Sequence, residues 1–163
     1  MLIPKELGEL LAELNKEQLP YVLVGGVAVN LLGVARLTDD VDVLVPATSE
    51  QGQAIRRLLE RLGATRPDGS PLPEVLFDGH HHIRARTRHG LIDFIPEGEK
   101  PLDFQSVHGS ARPSELHGVL VPRAALGHLA ALKRLAGRPI DHQDLARLEA
   151  AYGKLPEPPR NAG

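Results

Sequence analysis

Two aspartates separated by one valine, Asp40 and Asp42, head a run that continues Val43-Leu44-Val45 and stops at Pro46. No other feature constrains the fold so strongly. In a strand, residues two apart share a face. Both carboxylates therefore point the same way, and Val41 and Val43 point the other. The apolar flanks imply a half-buried strand. Two like charges a few ångströms apart in such surroundings repel each other at a cost of several kcal/mol unless something compensates. A divalent cation removes that cost, and an all-oxygen donor set points to Mg2+ or Mn2+. Asp39 has only Val41 two residues on, so the pair is Asp40 and Asp42. A solvated strand edge is the alternative for an isolated Asp-x-Asp. The surrounding valines and the glycines upstream weigh against it.

The chain of 163 residues suits one domain, 1–155, with a core over 20–97, a C-terminal helical part over 118–153 and a disordered tail at 156–163. With 3% aromatic residues, the core falls to Leu, Val, Ala and Ile. The formal net charge of −2 gives no global drive onto nucleic acid. The absence of cysteine excludes disulfides, zinc thiolates and thiol nucleophiles. Met1–Glu6 has no basic segment followed by an apolar one, so no leader is expected. The apolar stretch 21–34 is too short for a membrane span and is broken by glycines. A cytoplasmic location is the default expectation.

Leu7, Leu10, Leu11 and Leu14 recur at helical spacing and predict an amphipathic first helix. Tyr21–Val24 reads as a buried strand, followed by Gly25-Gly26 and a short helix to Leu32. Thr48 and Gln51 fit a capping box for a helix closed by Gly63. Val75–Phe77, His80–Thr87 and Leu91–Ile95 read as strands, and residues 96–116 resist assignment. Gly118–Val121 fits a last short strand. Ala124–Ala136 reads as a helix with Gly137 as its C-cap and Pro139 preventing continuation; Asp141 then caps a final helix.

A glycine pair after a buried strand, opening a helix, lets an anion approach backbone N–H groups. Taken alone, it is equally a tight turn. It is neither a dinucleotide fingerprint nor a P-loop. Combined with the aspartates, it gains specificity. The stretch Val22-Leu-Val-Gly-Gly, a short helix, then Arg36-Leu-Thr-Asp-Asp-Val-Asp resembles the DNA polymerase β-like nucleotidyltransferase superfamily, in its small prokaryotic form. The resemblance implies an α/β (α+β) fold with a short mixed sheet, helices mainly on one face and C-terminal helices. It implies a third carboxylate on a later strand, for which Asp93 in Gly90-Leu-Ile-Asp-Phe-Ile-Pro96 is the candidate. By analogy Asp93 is a metal ligand and the base for the acceptor hydroxyl. A core aspartate paired with an arginine is the other reading. Gly25, Gly26, Arg36, Thr38 and Lys133 become candidate nucleotide or phosphate contacts, with a surface lysine the alternative at Lys133. The segments 119–123 and 129–145 resemble the closing helices of toxin-type members, although Ile140 stands where those carry lysine.

The implied activity is metal-dependent transfer of an NMP group from an NTP, ATP by default, to a hydroxyl on RNA, protein or a small molecule. The alternative is a catalytically idle fold that binds a cognate protein partner, as in toxin–antitoxin pairs. A phosphate-ester hydrolase is a third reading. His80, His82, Arg84, Arg86 and Arg88 would share one strand face, serving phosphate, standing as a solvated basic face or, for the histidines, holding zinc.

Overall fold

A computed structural model describes residues 2–159. Its six-stranded mixed sheet has the order β3-β4-β2-β1-β6-β5. The strands are β1 (Val22–Val24), β2 (Asp40–Val45), β3 (Ile83–Thr87), β4 (Gly90–Pro96), β5 (Arg112–Leu116) and β6 (Val119–Arg123). The helices are α1 (Lys5–Lys16), α2 (Gly25–Leu31), α3 (Ser49–Arg61), α4 (Phe104–Gly109), α5 (Leu126–Ala136) and α6 (Pro139–Tyr152). β2 pairs parallel with β4 and antiparallel with β1. β1 in turn pairs parallel with β6.

Alternation sorts the two faces of the sheet. Val41, Val43, Ile83, Ala85, Ile92 and Phe94 are buried and belong to one apolar cluster. Leu10, Leu11 and Leu14 of α1 join it, each fully buried, because their spacing puts them on one helical face. The opposite register carries Asp40, Asp42, Arg84 and Asp93. α5 and α6 pack on each other and on α2, so the C-terminal helices stand over the end of β1.

Several boundaries differ from the sequence reading for identifiable reasons. Val75–Phe77 is not a strand but part of a 3₁₀ turn, Glu74–Asp78. Pro73 leads into it, and Gly79, at φ +93°, closes it against Thr48 O, where a Cβ would come within 2.1 Å. His80–His82 lie outside β3, which starts at Ile83; Asp78 ties the His80 N–H and the His81 ring into a turn instead. The unassigned stretch 96–116 contains α4 and β5. Thr48 caps α3 by accepting the Gln51 N–H at 3.1 Å, but Gln51 Oε1 is buried without a partner, so only half of the capping box forms. Pro139 does not merely stop α5: it opens α6, and Asp141, three residues into the cap, accepts the Arg138 N–H. Of the segment read as a tail, residues 156–159 follow the buried Leu155, and Glu157 lies against Gly127; residues 160–163 lie outside the described residues.

Candidate active site

Parallel pairing of β2 and β4 sets Asp42 opposite Asp93. Asp40 shares their face two residues earlier. One carboxylate oxygen from each lies within 4.8 Å of the others. The three carboxylates singled out in the sequence therefore converge, with a donor set suited to a hard divalent cation.

On the other side of β2, Val24 faces Asp42, so the chain turns into α2 directly beside that carboxylate. A Cβ on Gly25 would lie 2.2 Å from Asp42 Oδ2, and its φ is +71°. Both the space and the backbone demand glycine there. Gly25→Ala is expected to cost about 1–3 kcal/mol and to displace the Asp42 carboxylate. Urea unfolding and Mn2+ titration check this; unchanged values for both would contradict it. Gly26 backs onto Arg36 and Thr38, at 3.0 Å and 3.1 Å from its ideal Cβ. Thr38 is buried and donates to the Asp40 carbonyl at 3.2 Å, which steadies the entry into β2.

Burial, with the Asp40 and Asp93 charges added, raises the Asp42 carboxyl from 3.8 to about 7, although Lys133 opposes the rise. The folded state thus holds this proton more tightly than the unfolded chain does. Metal-free stability should fall as pH rises from about 4 to about 7, by a few kcal/mol. Contact with Asp93 raises the His82 imidazole, so its contribution is also lost as pH rises. Asp42→Asn isolates the aspartate: thermal melts in EDTA should show a visibly flatter pH profile for the variant. Identical profiles would rule out the cause given.

Cations line the same cleft. Arg84, opposite Asp93 across β3 and β4, donates one guanidinium nitrogen to both Asp93 and Asp40, the latter at 3.2 Å. His82 Nε2 stands 3.1 Å from Asp93 Oδ1. The remaining cations belong to a network under the C-terminal helices. Lys133, its side chain buried, meets Asp141 at 3.2 Å and Asp144 at 2.9 Å through Nζ. Arg36 Nε meets Asp144 at 3.0 Å, and Arg138 Nε meets Asp141 at 2.8 Å. Burial pushes the Asp141 carboxyl up, but the Arg138 and Lys133 contacts outweigh it and leave it at about 2. Asp144 and Arg138 lie in the stretch that resembles the closing helices, but no role of their own is read for them from the sequence. The Asp141/Asp144 spacing, one helical turn on a segment that follows Lys133, was the available signal.

The cleft between these groups holds about 400 Å³ and is lined by Gly25, Gly26, the three aspartates, Arg84, Lys133 and Arg138 among others. A mostly apolar annex of about 240 Å³ shares Gly25, Asp42, Ile95, Lys133 and Arg138 with it and is walled further by Leu44, Leu129, Leu132, Leu135 and Ala136. Arg86 and Arg88 do not line the cleft: Arg86 Nε is bonded to Pro67 O at 3.0 Å, and Arg88 is exposed. Among the described residues, no helix is long and apolar enough to cross a membrane.

No protein-family model matches the sequence, and no curated protein matches it. Solved structures do match. The antibiotic-resistance factor ANT(2'')-Ia aligns over 91% of this chain and 83% of its own, with a TM-score of 0.61 and 18% identity. The lincosamide antibiotic adenylyltransferase LnuA, bound to lincomycin, aligns over 90% of this chain and 96% of its own, with a TM-score of 0.59 and 16% identity. An antigenic nucleotidyltransferase-like protein from Paracoccidioides brasiliensis aligns over 88% of this chain and 73% of its own, at TM-score 0.53 and 18% identity. At these identities the likeness shows the fold, which is that of the nucleotidyltransferases.

Proposed function

We propose that the protein is an enzyme that transfers a nucleoside monophosphate from an NTP to a hydroxyl acceptor, using a divalent cation held by Asp40, Asp42 and Asp93. One observation carries this reading: three carboxylates from two adjacent strands of a nucleotidyltransferase fold present oxygens within 4.8 Å of one another, beside a glycine-headed helix. The donor set fits Mg2+ or Mn2+. Bound there, such an ion neutralises the carboxylates and polarises the phosphoryl oxygens of the nucleotide.

The chain's own residues supply the rest. Asp93, which lines the cleft, takes the proton of the acceptor hydroxyl. Gly25 and Gly26 leave room for phosphate beside Asp42. Thr38 and Arg36 hold the approach to β2, and Lys133 sets the field behind Asp42 through its bonds to Asp141 and Asp144. ATP is the default donor, which goes with a cytoplasmic site of action.

The neighbours include ANT(2'')-Ia in complex with adenylyl-2''-tobramycin and LnuA bound to lincomycin. An uncharged or weakly charged small molecule suits this cleft better than a polycation. Asp141 and Asp144 are already ion-paired, and the annex beside Asp42 is apolar. Burying charge against apolar walls without a partner is unfavourable.

The test is incubation with each α-labelled NTP and Mg2+ or Mn2+, over RNA, protein and small-molecule acceptors. Label on an acceptor with pyrophosphate released supports the reading. Release of inorganic phosphate alone turns it into a hydrolase. No turnover, no nucleotide affinity and a stoichiometric protein partner would make it the idle, partner-binding fold.

A further inference from the structure

We propose that Arg84 is an internal counter-ion that yields its place to the divalent cation and then turns to the phosphates of the nucleotide. This rests on the metal-site reading above and goes beyond it by assigning a residue whose partner changes as the site loads.

The geometry of the carboxylates is the starting point. Arg84 bridges one oxygen of Asp40 and one of Asp93, and His82 takes the other oxygen of Asp93. Those are oxygens a metal ion needs. One oxygen of each carboxylate lies within 4.8 Å of the others. A guanidinium bonded to two of the three carboxylates occupies oxygens that a cation there would take, and its positive charge competes for the same place. Its side chain is 46% exposed, on a long flexible stem, so leaving is sterically easy.

Where it goes follows from the other cations. Arg36, Lys133 and Arg138 also line the cleft, but their partners are Asp141 and Asp144. Those two carboxylates are outside the triad, so these three cations keep their bonds when the site is loaded. Arg84 alone among the cleft's arginines and lysine loses its partners to the metal. A freed guanidinium facing a polyphosphate makes paired, charge-assisted hydrogen bonds. The antiparallel register that sets Arg84 opposite Asp93 keeps it within reach of the same oxygens throughout.

Two titrations test this on nucleotide-free protein. Arg84→Met removes the charge and keeps most of the stem. Mn2+ binding, followed by electron paramagnetic resonance, is expected to be about tenfold tighter than in wild type, because the competitor is gone. At saturating Mn2+, inorganic tripolyphosphate is expected to bind the variant about tenfold more weakly. Unchanged or weaker Mn2+ binding overturns the counter-ion role. Tripolyphosphate held as tightly as by wild type overturns the move to phosphate. If wild type binds no Mn2+ at all, the metal-site reading fails and this inference falls with it. Should Arg84→Met not fold, wild type answers alone: the side-chain 15N resonance of Arg84 is expected to shift on adding Mg2+ and again on adding tripolyphosphate. A resonance that ignores Mg2+ overturns the proposal.

Discussion

Asp42→Asn is expected to abolish nucleotidyl transfer while making the metal-free protein more stable at neutral pH. The two effects share one cause. Asp42 sits between Asp40 and Asp93 and is raised to about 7 by burial and by their charges, so the folded chain at pH 7.5 must hold it ionised at a cost. Asparagine keeps the shape and removes the charge. Arg84 keeps both of its partners in this variant, since neither is Asp42. A melting temperature several degrees higher in EDTA at pH 7.5 is the expected readout. Activity moves the other way. Losing one of three charged ligands removes several kcal/mol of stabilisation from the loaded site, or about a thousandfold in rate. Mn2+ should no longer raise the melting temperature, because only binding to the folded form stabilises it. A variant that transfers label normally would sink the assignment of Asp42. One that is both inactive and less stable would show that the carboxylate had a structural role instead.

The parts of this site that could be read in the sequence are those governed by short periods. The spacing of Asp40 and Asp42 fixes their common face, and an aspartate inside an apolar strand run pointed to Asp93. The structure brings all three together. Thr48, Gly137 and the leucines of α1 were legible for the same reason: capping and helical spacing are local. What escaped was set by distant pairing. β5 reads Arg-Pro-Ser-Glu-Leu and shows no alternation, because it is an edge strand with mostly exposed side chains. Arg84 can be recognised as the partner of Asp93 only from the register between β3 and β4. α5 inverts the usual expectation for residue type: the apolar Leu135 is 76% exposed, while the charged Lys133 is 4% exposed. The inversion follows from the two aspartates that α6 brings beneath Lys133, and no pattern within α5 reveals them.

That buried network yields the largest stability effect. Asp144 is fully buried, and its two oxygens serve Lys133 at 2.9 Å and Arg36 at 3.0 Å; Arg147 adds a longer contact of 3.7 Å. Asp144→Ala therefore leaves a buried ammonium with one carboxylate instead of two, and a mostly buried guanidinium without any. Breaking a buried ion pair from one side costs about 3–5 kcal/mol, a large share of the roughly 5–15 kcal/mol that holds a domain folded. Asp141→Ala should cost less. Its partner Arg138 is 67% exposed and can turn to water, and Lys133 keeps Asp144. Urea unfolding should thus rank Asp144→Ala below Asp141→Ala, and both below wild type. Replacing both ends of the buried pair, as Lys133→Met with Asp144→Leu, should recover much of the loss, since no ammonium is then left underpaired. Arg36 would still lack its anchor, and it tethers the segment before β2 to α6 across the cleft. The double variant is accordingly expected to regain stability without regaining tight nucleotide binding. Asp144→Ala within about 1 kcal/mol of wild type would mean that the network is solvated and bears little weight. Recovery of both stability and binding in the double variant would mean that Arg36 does not position the site.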